Sequence, residues 1–493
     1  MKKVFLSVGL SIVAQLSTVI SGLIIPRLIL YTFGSDVNGL VSSITQFLNY
    51  ISLLEGGVTG VVMAALYKPL NEGDNEKVSE ILAAVKQFFN KIGLIYCAYT
   101  IGVGVLYPLL IHTKFEWDYI FTLTLILASN LLVQYFLSLS LKVLLDSDRK
   151  TYITSAVQIL SIWVNLLVTV AAIKIWPEIH FVKLISGVVF LLQPLCYSIY
   201  VKNNYNIKWK ARPDNDAIKH RWDGMGQNIA YFIHTNTDVV ILTFFASLSD
   251  VSVYSVYFMV ANSLKGFIMS ISRVISPIIG KKLAAKDNDL NDVIDRYELL
   301  LGLITAFAYT NAANLILPFV KLYTTGVQDA NYYRPVFGVV LLMAEALYCF
   351  REPYVGVAYA AGNFKETAKY AYVEAATNLV ISLLLVRKLG LLGIAIGTFI
   401  SMLYRMVAHI FYLQNQVLYR PVKKAFEFQG IAWISMVIAM FAYKKISLWA
   451  SLDNITQWSQ WIIGGLMSCL ITIVVLLIAF FPKLKLIIDK KRC

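Results

Sequence analysis

The chain has 493 residues, of which 58% are hydrophobic and only 15% are charged, and its formal net charge is +14. Soluble domains contain roughly 45–50% apolar residues, so this composition excludes a soluble protein. The five cysteines form no CxxC pair and the five histidines show no metal-binding spacing, so neither a disulfide framework nor a metal site is predicted.

Apolar runs long enough to cross a bilayer follow one another along the whole chain and predict an all-α integral membrane protein. The first run continues to about residue 32 without a convincing small-residue cleavage site, so we interpret it as a retained helix rather than a signal peptide. The fourteen predicted spans are 4–32, 37–66, 80–110, 119–145, 152–173, 181–201, 224–247, 251–280, 297–320, 335–360, 368–387, 391–415, 429–446 and 459–481.

Lysine and arginine are distributed unequally between the two sides of these spans. With the N-terminus in the cytoplasm, the cytoplasmic segments and span ends hold 27 of the 43 Lys and Arg residues, the opposite side holds 9, and 7 lie inside spans. This excess satisfies the positive-inside rule and predicts that both termini are cytoplasmic. Basic segments beside an anionic leaflet also account for the net charge, so no nucleic-acid partner is expected.

A weak internal repeat relates two halves of the chain. The tripeptide Ser-Asp-Val at 35–37 recurs at 249–251, and the Asp-Asn pair at 74–75 recurs at 287–288 with one residue of slippage. The matches place helices two and eight at the same position in each half. Because six helices per half is an even number, the repeat is parallel, with a pseudo-twofold axis along the membrane normal.

The repeat and the polar segments together predict four regions. We expect an N-lobe of helices one to six at 1–201, a cytoplasmic linker at 202–223, a C-lobe of helices seven to twelve at 224–415, and helices thirteen and fourteen with a basic cytoplasmic tail at 416–493. Two lobes that rock against each other are typical of transport by alternating access.

Helix eight carries the clearest polar face. Asn262, Lys265 and Arg273 fall within an arc of about 80° at 100° per residue, and a helix facing lipid would not place two cations there. We interpret this face as the lining of a cavity. A salt bridge from these cations to a neighbouring helix is the alternative.

Helices one and two present weaker polar faces. Gln15 lies on the polar face of helix one, whereas Arg27 follows Pro26 near the outer end, where it either faces a cavity or extends to the interface. Helix two presents Asn49, with Glu55 at the edge of the same stripe. Small residues on that stripe also suit close helix packing.

Helices seven and ten carry further titratable groups. His234 and Asp238 are i and i+4 neighbours that either exchange a proton or form a static hydrogen-bonded pair. Helix ten places its two glutamates on one face and its arginine on another. The candidates for cavity lining or ion coupling are Gln227, His234 and Asp238 on helix seven, and Glu345, Arg351 and Glu352 on helix ten.

Four stretches in this order resemble polysaccharide flippases of the Wzx type, within the multidrug/oligosaccharidyl-lipid/polysaccharide (MOP) exporter superfamily. They are IPRLILYTFGSDVNGLVSSITQFL, LLEGGVTGVVMAALYKPL, TDVVILTFFASLSDVSVYSVY and LGLLGIAIGTFIS. The resemblance covers essentially the whole chain, and its specific part is the order and spacing of loose motifs.

The resemblance implies two six-helix lobes around a basic central cavity. It implies a flippase that moves an undecaprenyl-diphosphate-linked oligosaccharide from the inner to the outer leaflet, for capsule, O-antigen or teichoic-type polysaccharide. Such families use cavity arginines on helices one and eight, which here correspond to Arg27 and Arg273, with Lys265 beside the latter. Helix two of this chain lacks the arginine that some lipid-precursor flippases carry, which disfavours a peptidoglycan precursor.

A non-enzymatic transporter of the bacterial inner or plasma membrane is therefore expected. It needs no cofactor, although transport could be coupled to protons, sodium ions or the membrane potential, and its partners would be membrane lipids and the glycosyltransferases or polymerase of the same pathway.

A multidrug or cation antiporter of the same superfamily is the first alternative and would need an acidic cavity. A membrane polymerase or acyltransferase is less favoured because the longest outer loops, near 321–334 and 447–458, are short.

Overall fold

The structure is a computed structural model that describes residues 2–55, 58–111, 113–209, 211–219, 225–285, 289–450 and 454–489. This part of the chain is helical and contains no strand. The helices are α1 (Lys2–Asn49), α2 (Val58–Glu72), α3 (Asn75–Leu110), α4 (Trp117–Val133), α5 (Leu139–Ser147), α6 (Thr151–Ile175), α7 (Ile179–Val189), α8 (Leu192–Asn204), α9 (Met225–Phe245), α10 (Leu248–Ala284), α11 (Leu290–Tyr323), α12 (Pro335–Ala360), α13 (Phe364–Leu389), α14 (Leu391–Tyr412), α15 (Lys423–Trp449) and α16 (Trp458–Asp489).

Eleven helices within the described ranges are long and apolar enough to cross a membrane. The first of them contains two predicted spans, because Gly34 interrupts α1 with φ 84° and ψ 176°, a conformation that favours glycine. The helix α12 has spanning length but carries three charged residues, and only the second half of α9 is strongly apolar. With these two helices and the two segments of α1, the fourteen predicted helices are confirmed.

The second span differs from the sequence prediction of one helix at 37–66. The helical segment that begins after Gly34 ends at Asn49, a 3₁₀ turn covers Tyr50–Glu55, and α2 begins at Val58. The sequence places Gly56 and Gly57 at this interruption, and glycine is a poor helix former. A π-helical turn also interrupts the fourth span at Gln134–Ser138, and another forms the end of the twelfth helix at Leu413–Val417.

The chain folds into two compact units, Met1–Ser252 and Val253–Cys493. The boundary lies inside α10 rather than in the predicted linker at 202–223, because α9 and the start of α10 pack against α1. Aromatic contacts contribute to this packing, with ring centroids 4.8 Å apart for Tyr50 and Phe232. The division into two six-helix lobes remains a prediction.

The described part of the predicted linker is an ordered element of the first unit. Ile218 is 3% exposed and packs in the hydrophobic core with residues of α3. The Lys77 ammonium lies 3.0 Å from the Asp214 carboxylate and lowers the pKa of that carboxyl. The segment therefore covers one end of α3 instead of spanning freely between α8 and α9.

In the second unit, α13 and α14 form a closely packed hairpin that also contacts α12 through α14. Glycines allow this approach, since a Cβ atom at Gly393 would lie 2.6 Å from the carbonyl carbon of Leu385. Gly390 forms the turn between the two helices with φ 54°. The hairpin thereby brings polar residues of three neighbouring helices into one buried layer.

Candidate functional site

Arg27 lies within the first helical segment of the first unit and is half-buried. Gln15, three turns earlier, is also half-buried, and Ser11 on the same helix contacts Ser155 of α6, with the hydroxyl oxygens 3.2 Å apart. The predicted polar face of helix one is therefore used partly for packing on α6. Arg27 keeps its predicted role as a hypothesis.

Glu55 and Asn49 lie where the second span is interrupted. The Tyr135 hydroxyl donates a hydrogen bond of 2.6 Å to Glu55, and this tyrosine belongs to the π-helical turn of the fourth span. Asn49 is half-buried, and its carbonyl accepts a hydrogen bond of 2.8 Å from Ser52. The carboxylate thus links two irregular segments of the first unit.

A polar contact joins the segment 35–49 to α9. The hydroxyl oxygens of Ser43 and Thr243 lie 2.7 Å apart, and the Tyr107 hydroxyl donates to Ser43 at 2.8 Å. One turn further, Gln46 donates to the side-chain oxygen of Asn236. The polar stripe predicted on helix two therefore makes hydrogen bonds inside the protein, to a helix that the repeat assigns to the other half.

The start of this segment also contacts the start of α10. The Asn38 amide donates a hydrogen bond of 2.7 Å to the Ser252 hydroxyl, and both residues are buried. Their separation of 214 residues is that of the repeat, so two repeat-equivalent positions contact each other. Contacts between equivalent positions occur at a twofold axis, so this bond is consistent with a twofold repeat, and its parallel orientation stays a prediction.

Lys265 is buried and forms an ion pair. It is 4% exposed, and its ammonium lies 2.8 Å from the carboxylate of Glu345 on α12. The sequence left open the alternative of a salt bridge from Lys265 to a neighbouring helix. The structure contains this salt bridge, and such pairing is expected because an unpaired charge is costly to bury. We therefore remove Lys265 from the proposed phosphate site, and Glu345, a candidate for cavity lining or ion coupling, is instead its ion-pair partner.

Arg273 and Asn262 differ from Lys265 in being exposed. At 100° per residue they lie within about 20° of each other on α10. The apolar exposed side chains of α10, those of Phe267, Val274 and Ile278, lie on a separate face about 120° away. One helix thus exposes an apolar face and, apart from it, a polar face that carries Arg273.

Glu352, the second glutamate of α12, also faces α10. The Ser272 hydroxyl donates a hydrogen bond of 2.7 Å to Glu352, and Ser272 and Tyr297 hydroxyl oxygens also lie 2.7 Å apart. These contacts place Glu352 inside the packing of α10, α11 and α12. They provide a hydrogen-bonded carboxylate, one residue type that a coupling ion or proton would require.

The second unit contains a buried cluster of three charged residues, and the sequence did not predict that they contact one another. Arg351 and Arg405 both donate to the same oxygen of Glu374, the first at 3.1 Å, and all three side chains are less than 5% exposed. The sequence does contain one indication that two of these residues lie close together. Glu374 and Arg405 lie sixteen residues before and fifteen after Gly390, which puts them at the same depth of the α13–α14 hairpin.

The predicted pair on helix seven is only partly described. The side chains of Gln227 and His234 lie outside the described residues, whereas Asp238 is 3% exposed. Within the described ranges, no group of three His, Cys, Asp or Glu residues could hold a metal ion.

Comparisons with known proteins identify the fold. No protein-family model matches the sequence, and no curated protein matches it. Among solved structures, the chain is similar to "Lipid II flippase MurJ, inward closed conformation", with a TM-score of 0.72, 15% identity, and coverage of 96% of this chain and 99% of that one.

Two multidrug transporter structures also share the fold. An inward-facing multidrug resistance MATE family transporter of the MOP superfamily gives a TM-score of 0.64 at 13% identity, covering 83% of this chain and 96% of that one. The eukaryotic MATE transporter AtDTX14 gives 0.59 at 13% identity, covering 87% and 98%. At these identities the comparisons show the fold alone, the multi-pass helical fold that was predicted, and the role and substrate have to be argued separately.

Proposed function

We infer that this protein is a flippase that moves an undecaprenyl-diphosphate-linked oligosaccharide across the bacterial inner membrane by alternating access. The exposed polar face of α10 carries this proposal. Arg273 lies seven residues before the end of the predicted span 251–280, which is about 10 Å of helix. A charged side chain inside a span is costly in lipid, roughly 2.5–3.5 kcal/mol at the helix centre, so we expect Arg273 to meet water or an anionic partner.

A diphosphate is the anion that suits this arginine. The planar guanidinium offers parallel donors to phosphate oxygens, and such charge-assisted hydrogen bonds are stronger than neutral ones. Arg27, to which the resemblance gives the same role, is proposed as a second phosphate-binding residue. The prenyl chain of such a substrate would stay in the surrounding lipid, so the protein has to shield only the phosphates and sugars.

The fold comparisons support a flippase over a drug exporter. The lipid II flippase structure covers 96% of this chain, whereas the multidrug transporters cover 83% and 87%. Residues 28–148 contain no arginine, so the second span lacks the basic residue that some lipid-precursor flippases carry there. We therefore propose a repeat unit of capsule, O-antigen or teichoic-type polysaccharide, and both termini in the cytoplasm beside the enzymes that make it.

The membrane potential can drive this transport. A potential that is negative inside favours outward movement of anions by about 2.3 kcal/mol per charge for each 100 mV. If two phosphate charges move uncompensated, the driving force is roughly 5 kcal/mol per 100 mV. Transport driven by the membrane potential then does not require coupling to protons or sodium ions.

The Arg273→Ala variant tests the proposal in cells depleted of the native protein. Loss of its hydrogen bonds to phosphate, about 1.5–3 kcal/mol, predicts a roughly tenfold to hundredfold loss of flux. Lipid-linked oligosaccharide should then accumulate, as measured by mass spectrometry of extracted lipids. The matched control is Lys281→Ala, which removes an exposed cation at the end of the same helix. Normal lipid levels with Arg273→Ala at equal expression would exclude this arginine from the mechanism.

A multidrug or cation antiporter is the second candidate, and the buried carboxylates favour it. Asp238 and Glu298 are less than 10% exposed, and Glu352 is hydrogen-bonded between helices. Such carboxylates serve cation-coupled transport when a cation can reach them. Efflux of cationic dyes from overexpressing cells, together with normal lipid-linked sugar levels on depletion, would favour the antiporter and reject the flippase.

A further inference from the structure

The second unit contains a large cavity where the end of α11, the start of α12 and the end of α15 meet. Its volume is about 1240 Å³. Small-molecule pockets usually measure roughly 300–1,000 Å³, so this cavity has room for a headgroup together with part of a long chain. By the predicted topology, these helix ends lie on the outer side of the membrane.

The cavity lining is divided between apolar and polar residues. Leu317, Val339, Met343 and Met440 supply apolar surface below the helix ends. The mouth is polar and carries two cations, because Lys321, Lys444, Thr324 and Asn331 line it near the connecting segments. The lining is therefore amphipathic along the direction of the helices.

Aromatic residues place the mouth at the membrane interface. Trp449 is 89% exposed and Tyr333 is 61% exposed, and both lie at the helix ends that surround the cavity. Exposed tryptophan and tyrosine are enriched at the level of lipid headgroups. Further along α15, the lining residues Val437 and Phe441 are 56% and 64% exposed, so the apolar part of the cavity faces the hydrocarbon region.

The charged side chains among the described residues that line the cavity are two lysines. The Lys321 ammonium donates a hydrogen bond of 3.0 Å to the Asn454 side chain, which fixes its position beside the mouth. Lys444 is exposed one helix away, and no carboxylate occurs among the described residues that line the cavity. Two cations above an apolar channel complement a phosphate joined to acyl chains.

We propose that this cavity binds an anionic phospholipid of the surrounding membrane. Its phosphate contacts Lys321 and Lys444, and one acyl chain lies along Leu317, Met343 and Met440. The bound lipid fills a space between three helices and stabilises the second unit. This proposal does not depend on the flippase function, because it concerns a membrane lipid at a cavity separate from Arg273.

Native mass spectrometry of the full-length protein in detergent tests the proposal with phosphatidylglycerol and phosphatidylcholine of matched chains. We expect retention of one phosphatidylglycerol in preference to phosphatidylcholine. The Lys321→Ala/Lys444→Ala double variant should bind it at least tenfold more weakly, since each lysine near an anionic lipid contributes favourably. The matched control is Lys445→Ala, because Lys445 neighbours Lys444 but does not line the cavity.

Thermal unfolding gives a second readout that does not depend on the lysine variants. Phosphatidylglycerol should raise the Tm of the native protein, because binding to the folded state stabilises it. The rise in Tm should be smaller in Met343→Trp, because its larger side chain narrows the channel where the acyl chain would lie. Equal retention of both lipids, equal loss with Lys445→Ala, or an unchanged Tm shift in Met343→Trp would overturn the proposal. Displacement of phosphatidylglycerol by a lipid-linked oligosaccharide at equal concentration would also overturn it and assign the cavity to the substrate.

Discussion

At the residue scale, the buried charges of the second unit form pairs rather than an open basic surface. Lys265 binds Glu345, and Glu374 binds two arginines. Each charge would lose several kcal/mol of solvation if it were buried alone. The cations available for an anionic substrate are therefore those with exposed surface, and Arg273 is the example on α10.

Replacing Glu374 by Ala is expected to destabilise the protein strongly. It would leave Arg351 and Arg405 buried together without their carboxylate, at a cost of about 3–5 kcal/mol in the free energy of unfolding. The measurement is thermal unfolding of the purified variant in detergent.

The control for this variant is Glu72→Ala. Glu72 pairs with Lys68 at 3.9 Å, and both side chains are more than half exposed, so its loss should change the unfolding free energy by about 0–1 kcal/mol. A Glu374→Ala protein as stable as the Glu72→Ala protein would show that the cluster contributes little to folding.

The sequence could predict that these residues are charged and lie inside spans, but not how they pair. Helical periodicity placed Lys265 and Arg273 near one face. Whether a face meets water or a carboxylate depends on which helix packs there, and Glu345 lies eighty residues further along the chain. The hairpin geometry around Gly390 would have predicted one pair, Glu374 with Arg405, because both lie equally far from the turn.

At the element scale, hydropathy predicted the helices and missed their interruptions. The fourteen apolar runs correspond to fourteen spanning segments of the described chain, because spanning length and apolarity suffice for that inference. The 3₁₀ turn at Tyr50–Glu55 and the π-helical turn at Gln134–Ser138 leave no periodic signal. Glu55 and Tyr135, one in each of these turns, are joined by a hydrogen bond across helices that the periodic pattern does not contain.

Gly39 is expected to control the contact between the segment 35–49 and the start of α10. A Cβ atom at this position would lie 2.6 Å from the carbonyl carbon of Leu248 and overlap its oxygen, so Gly39→Ala should push the two helices apart. The measurement is the yield of a disulfide between Ser43→Cys and Thr243→Cys in a protein without its native cysteines, and we expect the yield to fall several-fold.

Gly22→Ala is the matched control, because nothing lies within 4 Å of a Cβ atom at that helical position. The control should give the same disulfide yield as the parent protein. An unchanged yield in Gly39→Ala would show that the close approach at Leu248 is not needed for the contact.

At the scale of the whole molecule, the internal repeat and the fold are consistent with each other. The hydrogen bond from Asn38 to Ser252 joins positions that the repeat makes equivalent. The solved structures with this fold are a lipid II flippase and multidrug transporters. A sequence without a family match could still be assigned to this fold because order and spacing of weak motifs persisted along the whole chain. Substrate identity could not be derived in the same way, since it depends on a few side chains such as Arg273.

The contact between Ser43 and Thr243 lies at the helix ends that the topology places outside. If transport proceeds by alternating access, this contact has to open so that the substrate can leave. A disulfide between Ser43→Cys and Thr243→Cys should hold it closed. The control pair Ser11→Cys and Ser155→Cys joins α1 to α6, which the repeat assigns to the same half.

Transport by alternating access can be tested in proteoliposomes, by measuring translocation of an undecaprenyl-diphosphate-linked oligosaccharide by the Ser43→Cys/Thr243→Cys protein. We expect transport under reducing conditions, loss of transport on oxidation, recovery with reductant, and no effect of oxidation on the control pair. Absence of transport by the reduced protein, or an undiminished rate with the disulfide fully formed, would contradict it.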